Sequence, residues 1–152
     1  MSKLEKPLIE KYWHQIGGTI KYEFSMVRRS ETNGPRYLDA LILPEGKKEV
    51  FKGRSSEIKN MIKGKDIIIV QAKKGRLGMY LMGQAIFSID LMKQFQPKSI
   101  LSVALCFKDD SILKPLLRRY SRVKVVVLGE SSRLAFRRKR QEQGRRRKER
   151  TW

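Results

Sequence analysis

The stretch Asp66-Ile67-Ile68-Ile69-Val70-Gln71-Ala72-Lys73 decides the fold. Its four consecutive β-branched side chains are stiff at χ1 and suit a pleated backbone. An unbroken apolar run, rather than alternation, is the pattern of a central strand covered on both faces. Polar groups close the run at its far end, where Gln71 and Lys73 stand two residues apart and so face the same way.

Downstream, Leu77 to Phe95 carries apolar residues at three- and four-residue spacing, among them Leu81, Ala85, Ser88, Ile89 and Met92, with Pro97 as a stop. That spacing predicts the main helix. Ser99 to Phe107 reads as a second apolar strand, Ser111 to Tyr120 as a short basic helix and Val123 to Leu128 as a last strand.

Upstream, Glu45 to Lys65 is a basic excursion with room for a short helix. Arg36 to Leu43 reads as a strand, preceded by Asn33-Gly34 turn chemistry. Thr19 to Arg28 sets Ile20, Tyr22, Phe24 and Met26 against Lys21, Glu23, Ser25 and Val27, the period-two pattern of a half-buried strand pairing with it as an antiparallel hairpin. Leu4, Leu8, Ile9, Tyr12 and Ile16 recur at helical spacing up to Gly17-Gly18. The expected fold class is α/β with a mixed sheet.

Composition divides the chain in two. Residues 1–130 supply a core, whereas 131–152 form a basic C-terminal extension holding Arg137-Arg138-Lys139-Arg140 and Arg145-Arg146-Arg147-Lys148, with hardly an apolar side chain. Over the whole chain of 152 residues, 35 Lys and Arg face 15 Asp and Glu, a net charge of +20. A polyanion is the natural counter-charge. A membrane partner is not expected, because the sequence shows no apolar run of about 18 residues, no signal peptide and no lipidation motif. The single cysteine, Cys106, excludes an intrachain disulfide and a Cys/His zinc cluster, and suits a reducing cytoplasmic compartment. His14, the one histidine, reads as a surface group beside Trp13.

Asp39 interrupts an otherwise apolar strand, and with Gln71 and Lys73 it supplies the group types that phosphodiester hydrolysis needs. These are oxygen ligands for a hard divalent cation and a positive charge to steady developing negative charge. Leu38-Asp39 on one strand, Gln71-Ala72-Lys73 on the next and the helix behind them resemble the motif of the PD-(D/E)xK nuclease superfamily. The element order from Leu4 to Phe107 resembles the αβββαβ core of that restriction-endonuclease-like fold.

The resemblance implies an endonuclease that hydrolyses DNA with Mg²⁺ or Mn²⁺. It implies Asp39 as metal ligand, Lys73 as the residue that orients or activates water, and a helix-borne acid, best matched by Glu10, with Glu5 and Glu23 as substitutes. Gln71 stands where the family carries Asp or Glu, and Tyr37-Leu38 stand where a proline precedes the aspartate in many members. A glutamine at that place on a small basic chain is similar to intron-encoded homing endonucleases of the class, which implies a site-specific function in intron homing. Gln84 on the main helix matches a glutamine that several relatives place at the active site or DNA.

For double-stranded DNA, the expected sequence-reading residues are Arg28, Arg29 and Arg36 around the first hairpin, because a two-stranded ribbon enters the major groove and arginine pairs bidentately with guanine. Lys47, Lys48, Lys52, Arg54 and Lys74 are expected on the backbone, with Arg137, Arg138 and Arg140 of the tail. Tyr22, Phe24 and Tyr37 read as core rather than base-stacking residues. A double-strand cut by a chain offering one active site implies a symmetric homo-oligomer, dimer or tetramer. The competing reading is a non-catalytic DNA- or RNA-binding protein whose Asp39, Gln71 and Lys73 merely hydrogen-bond within the fold.

Overall fold

A computed structural model of the chain describes residues 4–128; the basic extension, with Arg137, Arg138 and Arg140, lies outside the described residues. The elements in chain order are α1 (Glu5–Ile16), β1 (Thr19–Val27), β2 (Arg36–Leu43), β3 (Glu49–Val50), α2 (Ser55–Ile62), β4 (Asp66–Arg76), α3 (Met79–Met92), β5 (Ser99–Lys108), α4 (Leu113–Leu117) and β6 (Val123–Val127). A 3-10 turn, Lys93–Phe95, ends the α3 segment. The strands form one six-stranded mixed sheet in the order β3-β1-β2-β4-β5-β6. β1, β2 and β4 are antiparallel neighbours, while β4, β5 and β6 run parallel.

The apolar run at the centre of β4 is covered twice. Ile67 and Ile69 join a core with Leu81, Ala85, Ile89 and Met92 of α3 and with Ile58 and Ile62 of α2. Ile68, Val70 and Ala72 join a second core with Leu8, Ile9, Tyr12 and Trp13 of α1. Fully burying one such side chain contributes roughly 1.5–3 kcal/mol, so two-sided coverage stabilises β4 strongly. The sheet therefore lies between α1 on one side and α2, α3 and α4 on the other. α1 stops at Gly17, whose φ of 81° suits a residue without Cβ, and Trp13 Nε1 donates to Gly18 O at 2.8 Å.

The alternation expected along β1 changes phase. Ile20 and Tyr22 face α1, but Phe24 and Met26 face the α3 layer. Between them Glu23 has φ of 53°, a left-handed conformation that rotates the strand by one side chain. β2 changes face at the matching place, with Ala40 and Ile42 on the α1 side and Leu38 on the α3 side. The pairs Tyr22↔Ala40 and Phe24↔Leu38 bracket Glu23 and Asp39. An irregularity of this kind re-aims a side chain, and here the re-aimed residue is Asp39.

Glu23→Val is expected to lower stability by about 1–2 kcal/mol, since a β-branched residue resists the left-handed region, whereas Glu23→Gly keeps or raises it. Urea denaturation checks this; a valine variant as stable as the glycine one would contradict the assigned strain.

Candidate functional site

Asp39 is the residue the strand irregularity delivers to β4. One of its carboxylate oxygens, Oδ2, accepts a hydrogen bond from the Ala72 amide at 2.8 Å. Regular β2–β4 pairing covers Ala40 to Ile42 against Val70 to Ile68, so this contact joins the strands just past the ladder. The carboxylate thus meets the backbone between Gln71 and Lys73. Burial raises its proton affinity most; the Ala72 amide opposes this, Glu5 adds to it, and Lys73 lowers it.

Gln71 is buried, 2% exposed, and faces α3. Its Nε2 donates to Tyr37 O at 3.2 Å and to Ser88 Oγ at 3.4 Å. A carbonyl acceptor at Tyr37 fixes which end of the amide is nitrogen. Lys73 is exposed at the end of the run, with Nζ 5.7 Å from the centre of the Tyr80 ring, within cation–π range. Asp39, Gln71 and Lys73 therefore lie together on adjoining strands, with Gln71 and Lys73 both turned to the α3 side.

Glu10 is not part of this group. It is exposed on α1, and its charge acts on Tyr22, whose hydroxyl burial and Glu10 together push up to about 12. The α1 carboxylate within electrostatic reach of Asp39 is Glu5, 7% exposed in the first helical turn. Glu23, exposed, serves the backbone turn described above. His14 is exposed and stacks on Trp13 with ring centres 5.3 Å apart. Cys106 is a buried free thiol.

The basic residues divide between two ends of the sheet. Arg28, Arg29 and Arg36 are exposed where β1 ends and β2 begins, which is also the end of β4 that bears Lys73 and Lys74. Lys47 and Lys48 are exposed beside Thr19, whose Oγ1 donates to Lys47 O at 2.7 Å, at the opposite end of β1. Nine strand residues separate the two groups, roughly 30 Å at 3.3 Å each. Lys52 and Arg54 are exposed on the connection to α2, and Ser55 Oγ of that helix accepts from Ser25 N at 3.0 Å, placing Arg54 toward the Arg28 end.

A cleft of about 740 Å³ opens between the end of the β1–β2 hairpin and α3. Gln71 and Ser88, both nearly fully buried, line its inner part, and Arg36, Tyr37, Tyr80 and Phe87 its outer part. Tyr37 is 55% exposed, Tyr80 72% and Phe87 68%. Gln84 also lines it. Of these, Tyr80 and Phe87 carry no signal in the sequence, where apolar residues on a strongly apolar helix read as core. Tyr37 reads as core too, yet it lies on the surface.

Among the described residues no group of three or more His, Cys, Asp and Glu side chains converges to hold a metal. No helix among them is long and apolar enough to cross a membrane. No family model matches the chain, and comparison with curated proteins and with solved structures finds no match.

Proposed function

We propose that the chain is a metal-dependent endonuclease of the PD-(D/E)xK type acting on double-stranded DNA. The observation that carries this reading is the Asp39 carboxylate on the Ala72 amide, flanked on β4 by Gln71 and Lys73. Metal-assisted hydrolysis of a phosphodiester uses oxygen ligands for a cation, and a nearby positive charge can steady the developing negative charge.

The donor set suits Mg²⁺ or Mn²⁺. Asp39 and Glu5 are two carboxylates within electrostatic reach of one another, and Mg²⁺ is commonly held by one or two carboxylates, with waters and substrate phosphate completing its shell. Asp39 and Glu5 would hold the ion, while Gln71, whose Nε2 is engaged by Tyr37 and Ser88, lies on the α3 side of the sheet. A metal held there would supply Lewis-acid polarisation of the scissile phosphate. Lys73, free in solvent apart from its contact with Tyr80, orients the attacking water and offsets charge at the phosphate. Arg36 and Lys74, exposed at the same end of the sheet, hold the flanking backbone. Cleavage proceeds by direct hydrolysis without a covalent protein intermediate.

Arg28, Arg29 and Arg36 on the hairpin supply sequence reading of the homing-endonuclease kind, and a symmetric homo-oligomer supplies the second active site for a double-strand cut. Incubating the full chain with mixed supercoiled plasmids tests the proposal. Nicked and linear products are expected with Mg²⁺ and none with EDTA; intact plasmid under both conditions, despite binding, would overturn it.

The second reading, a basic DNA or RNA binder without cleavage, is favoured by the engagement of Gln71 within the fold and by the neutral amide at a place where metal binding prefers a carboxylate. The same plasmid incubation separates the two.

A further inference from the structure

The cleft beside Gln71 combines a polar floor with exposed aromatic rings. Its outer part presents Tyr80 and Phe87, large rings at 72% and 68% exposure, whereas Tyr12, Trp13 and Phe24 are buried. Its inner part is polar, with Gln71 and Ser88 at 2% and 3% exposure. Gln84 and Arg36 add donors between. An apolar partner helix has no use for a polar floor, whereas a flat ring with hydrogen-bonding edges matches both parts.

Gly83 is a second, independent indication. It lies inside α3, four residues from Phe87 and three from Tyr80, and it lines the same cleft. Glycine within a helix is unfavourable relative to alanine, and a conformational reason is absent because its φ is not positive. Packing gives no reason either: a Cβ at Gly83 would meet nothing within 4 Å. The space above it is open, and Tyr80 and Phe87 line the same cleft.

We propose that this cleft receives an unpaired nucleobase, stacked against Phe87 and Tyr80 over Gly83 and met at its edge by Gln84 and Arg36. Charge selects nucleic acid as the occupant, since Arg36 is in the cleft and Lys73 reaches the Tyr80 ring. The volume, about 740 Å³, is ample for one nucleotide. Gln71 lies in the cleft and beside the Asp39 site at once, so the base would sit next to the phosphate to be cut. The inference deepens the nuclease reading, on which it rests for that phosphate: the substrate class is duplex DNA with an extruded or unpaired base at the cleavage position.

The test compares binding of fluorescein-labelled DNA by the full chain in EDTA, where nothing is cut. The probes are a matched 24-base-pair duplex (about two turns of DNA) and the same duplex with a three-nucleotide unpaired bubble. Base–aromatic stacking leads us to expect about tenfold tighter binding of the bubble by the wild type. Phe87→Ala and Gly83→Leu should each abolish that excess and leave duplex affinity unchanged. Gly83→Leu should also raise the thermal unfolding midpoint, so its binding defect is not a folding defect.

Equal affinity of the wild type for both probes would overturn the inference, as would variants that weaken both probes alike. If sedimentation shows Phe87→Ala splitting an oligomer while the bubble preference survives, the surface serves self-association and the inference falls. A bubble preference without cleavage under any divalent cation would sink the nuclease reading and leave base binding standing. Cleavage without a bubble preference would do the reverse.

Discussion

Lys73→Ala is expected to slow single-turnover plasmid cleavage by about 100-fold or more, the usual cost of removing a group that meets charge developing in the transition state. Affinity for the same plasmid should change by less than about threefold, because one phosphate contact is lost among many on so basic a chain. The fold should be untouched. Lys73 is exposed, and its Nζ lies over the ring of exposed Tyr80. Gel-shift binding in EDTA and rapid-quench cleavage in Mg²⁺ separate the two quantities. Cleavage at the normal rate would remove Lys73 from the proposed chemistry, and a parallel loss of binding and cleavage would make it an ordinary phosphate contact.

Asp39→Asn is expected to make the protein more stable at neutral pH. Burial is the leading cause that raises the Asp39 carboxyl above its ordinary value, and Glu5 adds repulsion. The folded state therefore holds the Asp39 proton more tightly than the unfolded state does. Its contribution to stability is fully present below the unfolded value, near 4, and is lost as pH rises through the raised folded value. Asparagine carries no charge to bury and still offers Oδ1 to the Ala72 amide, so the variant avoids that loss. The unfolding midpoint of the variant should exceed that of the wild type by an amount that grows from pH 4 to pH 7. Differential scanning calorimetry across that range measures it. A variant less stable than the wild type at pH 7 would show that the carboxylate is a structural anchor.

The stabilisation and the proposed chemistry explain one another. Burial of the Asp39 carboxylate, to which Glu5 adds and which Lys73 partly offsets, is a cost of the kind tolerated at functional sites.

That Asp39 stands on a strand neighbouring the one that bears Gln71 and Lys73 was readable from the apolar runs and turn chemistry that define those antiparallel strands. The two-sided burial of β4 was equally plain from Ile67 to Val70. Other features lacked a local signal. Nothing in a glutamate announces a φ of 53°, so the phase change at Glu23 was invisible and Phe24 was expected on the wrong face. Glu5 and Glu10 stand on the same amphipathic helix, and choosing between them requires the rotation of α1 against the sheet, which apolar spacing leaves open by about one turn. The outer wall of the cleft was missed because exposure of Tyr80 and Phe87 runs against the general fate of apolar side chains. Gly83 held the retrievable clue, as a helix-breaking residue in the middle of a long apolar helix.

Asp39 is the proposed acid of a phosphodiester-cleaving centre. Single-turnover cleavage of supercoiled plasmid by Asp39→Asn at saturating Mg²⁺, beside the wild type and at matched folded protein, tests this most directly. The account expects the wild type to cut and the more stable variant to fall at least about 100-fold below it. An asparagine variant that cuts as fast as the wild type would contradict it.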